Sequence, residues 1–170
     1  CLGEFRELTA LAVSQRDRIA LAATGEWIAK NVPDQLVVNG IVGNGAVVSF
    51  QIRGGMTRGT AFLFEIHGER GDLALTATSR ESMQRQELTV WGAQGAAQEL
   101  AELPVPARYR WVPEGTPSDS RYNVAQLYAR LAERIRDSKP VGPDFAAAVT
   151  RHRLLDAITQ ASETGRKQAL

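Results

Sequence analysis

Apolar and polar residues alternate over the first two-thirds of the chain and recur with a helical period over the last third. From Phe5 to Gln15, Leu8, Ala10 and Ala12 fall on one parity and Thr9, Leu11 and Val13 on the other, which predicts a strand with two partly apolar faces. Gln35 to Val42 and Gly45 to Arg53 are dense in β-branched residues, and Gly43-Asn44-Gly45 between them tolerates positive φ, so the pair reads as a hairpin. A connection through Gly54 to Gly59 leads into Thr60 to His67, where Phe62, Phe64 and Ile66 share a face. Gly68-Glu69-Arg70-Gly71 turns the chain into Asp72 to Ala77, and Gln86 to Trp91 is a further short strand before Gly92 and Gly95. Together these segments predict an antiparallel meander.

Pro104, Pro106, Pro113 and Pro117 then break regular structure and mark a long loop. Asp119 or Ser120 caps a helix in which Val124, Leu127, Tyr128, Leu131 and Ile135 form one apolar stripe, ending before Pro140. A second helix begins near Pro143-Asp144, with Pro143 suited to its first turn. It carries Phe145, Ala148, Val149, His152, Leu155 and Ile158 on one face and stops at Gly165. Strands followed by helices mean an α+β fold, an open, predominantly antiparallel β-sheet with helices packed on one face. The other face would carry Asn39, Ser49, Gln51, Arg53 and Glu65 mixed with Leu63, Val47 and Val37. That is too apolar for a solvated face, so a homo-oligomer through the exposed sheet face is expected.

Composition narrows the function classes. Twenty basic against nineteen acidic residues leave a net charge of +1 without long charge runs, which speaks against nucleic acid as a partner. No apolar run approaches the roughly 20 residues of a membrane span, so no membrane partner is expected. The one cysteine, Cys1, forms no internal disulfide, and these residues hold no basic n-region followed by an apolar h-region; a cytoplasmic protein is expected. The chain starts at Cys1 rather than Met, which reads as a fragment.

Most catalytic signatures are missing from the sequence. Two histidines and one cysteine give no transition-metal spacing. The run Gly40-Ile41-Val42-Gly43-Asn44-Gly45 leads into a strand rather than a helix, which excludes a dinucleotide loop. His67 and Glu65 share a strand face, an arrangement open to a general base but common on sheet surfaces. His152 reads as a packed histidine on the apolar stripe of the last helix. Arg70-Gly71-Asp72 is explained by turn geometry. Trp111, Arg110 and Tyr122 flank the proline-rich loop, where ligand-binding residues often sit.

Four stretches carry a resemblance: Gly3-Glu4-Phe5-Arg6-Glu7-Leu8; Pro33-Asp34-Gln35 with Gly45 and the strand after it; Glu65-Ile66 with Gly68, Gly71 and Leu73; and Tyr122-Asn123-Val124-Ala125 with Leu127-Tyr128, Pro143-Asp144-Phe145 and Arg153-Leu154-Leu155-Asp156-Ala157-Ile158. Together they resemble the C-terminal domain of the Gfo/Idh/MocA oxidoreductases over nearly the whole chain. The resemblance implies a glucose-fructose oxidoreductase C-terminal-domain-like fold, with residues 1–170 forming a single substrate-binding and oligomerisation domain and no Rossmann domain. It also implies a parent enzyme that uses NAD or NADP to oxidise or reduce a sugar, polyol or related hydroxy compound, with no cofactor bound to this chain. The family's dinucleotide loop, Glu-Lys-Pro motif and Asp-x-x-x-His helix are not in these residues; they are expected upstream, so no catalytic residue is carried over and the chain alone is expected to be inactive. The resemblance places Tyr122 and Asn123 near the cleft, and with Trp111 they are the substrate-contact candidates. The alternative is a non-enzymatic regulatory or protein-binding module of the same fold.

Overall fold

The computed structural model describes residues 2–55, 58–59, 61–77, 88–117, 120–140 and 142–170. Among the described residues the strands are β1 (Phe5–Val13), β2 (Arg18–Ala20), β3 (Trp27–Ala29), β4 (Gln35–Val42), β5 (Val47–Arg53), β6 (Phe62–Gly68), β7 (Gly71–Ala77), β8 (Thr89–Gln94), β9 (Ala101–Glu102) and β10 (Gln168–Ala169). The helices are α1 (Ser120–Arg136) and α2 (Phe145–Thr164). The chain forms two compact units, Cys1–Gly55 with Pro143–Leu170, and Met56–Gly142.

In the first unit the sheet order is β10-β1-β4-β5, every pair antiparallel. Period-two alternation sends Leu8, Ala10, Leu36, Val38 and Phe50 to one face, where α2 lays Leu154, Ala157, Ile158 and Ala161 against them. Leu8 and Val38 are the fully buried centre of this contact. A register shift between Phe5 and Glu7 brings Phe5 to the same face despite its odd number. Its ring meets Phe50 edge-on, centroids 6.3 Å apart. This packing is why position 40 is glycine: a Cβ there would lie 2.3 Å from the Glu7 carbonyl and 2.8 Å from the Phe5 ring.

Polar contacts fix the helix at both ends. The Asp144 carboxylate accepts from the Ala147 N–H at 2.8 Å as the N-cap, so Pro143 stands just outside the helix rather than in its first turn. Gly165, at φ 64°, ends the helix as its sequence position predicts. Ser162 Oγ accepts from the Ala12 N–H at 2.8 Å, satisfying an edge donor of β1 beyond the reach of the two-residue β10. Arg151 pairs with Glu4, and Lys167 with Glu7 at 2.8 Å.

In the second unit the order is β6-β7-β8-β9, again antiparallel. Phe64, Leu75 and Val90 form one rung, and Trp91 Nε1–H donates to Thr76 Oγ1 across the other face at 2.9 Å. Gly71 closes the β6–β7 turn at φ 153°, where a Cβ would lie 2.3 Å from the Ala93 carbonyl, so the Arg-Gly-Asp tripeptide is a product of close packing.

The α+β class and the antiparallel strands agree with the pattern in the sequence. Several details differ, among them the end of β8, which runs through Gly92 to Gln94 instead of stopping at Trp91. The meander is divided into two four-stranded sheets, so Leu63 and Glu65 lie on a different sheet from Asn39, Ser49, Gln51, Arg53, Val37 and Val47. The buried line of α2 is rotated from the expected stripe: of that stripe only Ile158 is buried, while Phe145 is 92% exposed and His152 is an exposed residue rather than a packed one. Leu154, Ala157, Ile158 and Ala161 keep the i, i+3, i+4, i+7 spacing, and small side chains at 157 and 161 let the helix approach the sheet. The apolar stripe of α1 is also exposed at Val124, Leu127, Tyr128 and Ile135. Parts of the Gly54 to Gly59 connection, the start of the Thr60 strand, the start of the Gln86 strand and the Asp119 cap lie outside the described residues.

Ile158→Ala should cost about 2–4 kcal/mol, the usual range for an aliphatic side chain truncated inside a core, whereas Leu155→Ala should stay within about 0.5 kcal/mol. Urea unfolding of the two variants measures this; equal losses would return the core to the stripe read from the sequence.

Candidate functional site

Proline at positions 104, 106 and 113 keeps the segment before α1 out of regular pairing. The segment is nevertheless held at defined points. Leu103 N–H donates to the Val90 carbonyl at 2.8 Å, tying its start to β8. A single 3-10 turn, Ala107–Tyr109, is closed by the Arg110 N–H on the Ala107 carbonyl at 2.9 Å.

The next residues are held by one side chain. Gln126 of α1 accepts the backbone N–H groups of Trp111, at 2.6 Å, and Val112, at 3.1 Å, on Oε1, and donates Nε2–H to the Tyr109 carbonyl at 3.0 Å. A carboxamide has an acceptor and donors side by side, and here they match the polarity of three backbone groups. One turn further along, the Arg130 guanidinium lies 4.6 Å over the Trp111 ring and is paired with Glu133. Arg108 stands over the Tyr109 ring at 4.7 Å.

Tyr122, Gln126 and Arg130 follow one another at i, i+4 and i+8 and so share a stripe of α1. The structure therefore joins Trp111 to the helix row that begins with Tyr122, through Gln126 and Arg130. Asn123 sits beside Tyr122 in the first turn; Tyr122 is half-buried and Asn123 exposed. Trp111 and Tyr109 remain 44% and 49% exposed, so each keeps ring surface available to a small molecule. Gln126 and Arg130 were not legible as site residues, since a contact reaching 15 residues along the chain has no sequence signature.

Elsewhere, the ion pair of Lys30 and Asp34 is nearly closed to solvent, with Nζ to Oδ2 at 3.0 Å. Lys30 Nζ also donates to Ser14 Oγ at 3.0 Å and to the Val32 carbonyl. Asp34 Oδ1 accepts the Gln15 N–H at 3.0 Å and the Gln35 amide at 3.4 Å. With both charges paired and hydrogen-bonded, this cluster ties the two ends of the β2–β3 hairpin to the sheet margin. The Gln15 N–H first, and the Lys30 ammonium second, hold the Asp34 carboxyl down at about 2.

His67 finds Asp72, directly across the β6–β7 ladder, at Nδ1 to Oδ1 3.1 Å, while Glu65, its expected neighbour, lies two rungs away on the same face. Both partners are exposed, which makes them a surface pair. An open depression of about 490 Å³ adjoins it, lined among others by Glu69, Arg70, Asp72 and Gln94; Trp111, Tyr122 and Asn123 are not in its wall. Among the described residues no group of three or more His, Cys, Asp or Glu side chains is placed to hold a metal ion, and no helix is long and apolar enough to cross a membrane.

Residues 1–77 match the family model of the Gal80p C-terminal domain. No curated protein sequence matches the chain. Its fold is shared with levoglucosan dehydrogenase in complex with NADH and levoglucosan (TM-score 0.75, 17% identity), covering 98% of this chain and 45% of that one. It is shared likewise with a super-repressor mutant of Gal80p from Saccharomyces cerevisiae (0.72, 17% identity, 98% and 45%) and with an NAD binding oxidoreductase from Klebsiella pneumoniae (0.71, 18% identity, 98% and 45%). The chain thus spans less than half the length of these structures. The match over residues 1–77 and the shared fold agree with the Gfo/Idh/MocA C-terminal domain to which the sequence motifs point.

The Asp34 carboxyl titrates at about 2 in the folded chain against an ordinary 3.8, so its contribution to stability is complete above about 4 and is lost as pH falls through about 2. Urea midpoints between pH 6 and pH 2 should therefore fall more steeply for the native protein than for Asp34→Asn. Parallel curves would mean the carboxylate is not held by these partners.

Proposed function

We propose that this chain is the substrate-facing and oligomerising part of a cytoplasmic NAD(P)-dependent oxidoreductase acting on a sugar, polyol or related hydroxy compound, and that on its own it has no dehydrogenase activity. The observation that carries this reading is the fold shared over 98% of the chain with levoglucosan dehydrogenase, whose structure was solved with NADH and levoglucosan. The nicotinamide, bound by the remainder of the protein, supplies the hydride acceptor or donor. This chain's part is binding and orientation: Trp111 offers an aromatic face to the C–H side of a ring, and the Tyr122 hydroxyl and Asn123 amide supply hydrogen bonds that select hydroxyl positions. No group of this chain is assigned the proton transfer.

A second reading has its own support. The family model matched by residues 1–77 is that of Gal80p, and a regulatory protein would keep the same fold while acting through protein contacts. The two readings diverge on turnover.

In the intact protein, steady-state assays over a panel of sugars and polyols with NAD and NADP should give saturable turnover, and Trp111→Ala should raise KM about tenfold, a loss of about 1.4 kcal/mol of binding. Tyr122→Phe and Asn123→Ala should act in the same direction. No turnover with any of the panel, together with undiminished cofactor binding, would favour the regulatory reading.

The sheet face opposite α2 is the proposed contact between copies. Leu11 and Val47 stand 58% and 82% exposed there, with Val37 and Ile41 on the same parity and Thr9, Asn39, Ser49 and Gln51 between them. Sedimentation velocity at micromolar concentration should show an oligomer that Leu11→Glu with Val47→Glu reduces to monomer. A monomeric native protein would remove this face as the contact.

A further inference from the structure

We infer that Gln126 is a positioning residue of the substrate corner, and that its carboxamide, rather than α1 packing at large, sets where Trp111 stands. The inference rests on the reading of Trp111 as a substrate contact. Three observations lead to it. The segment between Pro106 and Pro113 has little regular structure of its own beyond one 3-10 turn. A single side chain satisfies the Tyr109 carbonyl and the Trp111 and Val112 N–H groups, spanning four consecutive residues. The apolar stripe of α1, which would otherwise carry tertiary packing, is exposed at Val124, Leu127, Tyr128 and Ile135, so it does not hold the segment.

The chemistry is selective for an amide. Two of the three backbone groups are donors and one is an acceptor, so the side chain must present an acceptor and a donor at once. A glutamate at 126 would keep the contacts to Trp111 and Val112 but set a carboxylate oxygen against the Tyr109 carbonyl. A methionine would fill similar space and make none of the three bonds. Arg130 adds the second coordinate: the amide fixes the backbone of Trp111, while the guanidinium 4.6 Å over the ring orients the indole, and the residue keeps 44% of its surface exposed. The ligand class that fits is a polyhydroxylated ring that stacks its C–H face on the indole, and Gln126 acts on it only through Trp111.

The test compares Gln126→Met, Gln126→Glu and Trp111→Ala in the intact protein. Amide hydrogen exchange at Trp111 and Val112, and the Trp111 indole N–H resonance assigned by Trp111→Phe, report the position directly without turnover. Expected for Gln126→Met are exchange at least tenfold faster at those two amides, a shifted indole resonance, and KM raised about as much as in Trp111→Ala with kcat unchanged. Gln126→Glu should speed exchange less and still shift the indole. If Trp111→Ala raises KM while Gln126→Met leaves KM and both amides unaltered, the positioning role is overturned and the substrate reading stands. If the amides and the indole shift but neither Trp111→Ala nor Gln126→Met alters KM, the substrate reading fails and Gln126 is only a structural tie.

Discussion

The first unit depends on one contact made across most of the sequence: the face of β1 and β4 that carries Leu8 and Val38 against the Ile158 and Ala161 side of α2. The buried centre is small, so the helix must sit close, and alanine at 157 and 161 with Ser162 beside them allows that distance. The remaining features follow from the contact. Phe5 reaches the same face only through the register shift before Glu7, and its ring then occupies the space over residue 40, which must be glycine. The edge of β1 left uncovered by the short β10 is closed by the Ser162 hydroxyl from the same helix. One docking event thus sets a bulge, a glycine and an edge cap, because a close helix leaves each of them a single solution.

Period-two alternation and turn residues place β4 through β7 well in the sequence, because a strand announces itself locally: side chains alternate, and Gly45 or Gly71 stands where the backbone turns or crowds. Helix limits are equally local, since Asp144 and Gly165 cap α2 by their own chemistry. The helix's orientation is not local. Phe145 and Leu155 are more apolar than Ala157 and Ala161, so hydrophobicity alone turns the stripe towards them, whereas the sheet selects for closeness and takes the smaller residues. His152 falls on that apolar stripe for the same reason, yet it lies outside the core. The β2–β3 hairpin was missed because three-residue strands leave too short a pattern to read, and what fixes the hairpin is the Lys30 and Asp34 pair at its root.

The candidate site divides along the same line. Trp111 and Tyr122 stand out by residue type and by their places at the ends of a proline-rich loop, but the residue that ties Trp111 to the helix carries no such mark. A glutamine on a helix surface is ordinary until its carboxamide is seen facing two N–H groups and a carbonyl. Backbone groups in an irregular loop have no ladder to satisfy them, so a loop that is both irregular and well placed needs a polar side chain from a regular element. A helix supplies it well, because its own backbone is already satisfied and its side chains are anchored at fixed spacing.

That division of labour bears on how this fold serves different ends. A corner built from an irregular loop and a helix row can change ligand by changing the loop while the tie from the helix is kept. Levoglucosan dehydrogenase and Gal80p share the fold with this chain at 17% identity, so the sheets and helices alone do not distinguish an enzyme from a regulator. The distinction lies in side chains that the shared fold does not dictate. The Trp111 ring lies under the Arg130 guanidinium and its backbone N–H is bonded to the Gln126 carboxamide, so two residues about one turn apart on α1 set this residue, and whatever meets it finds its backbone already satisfied.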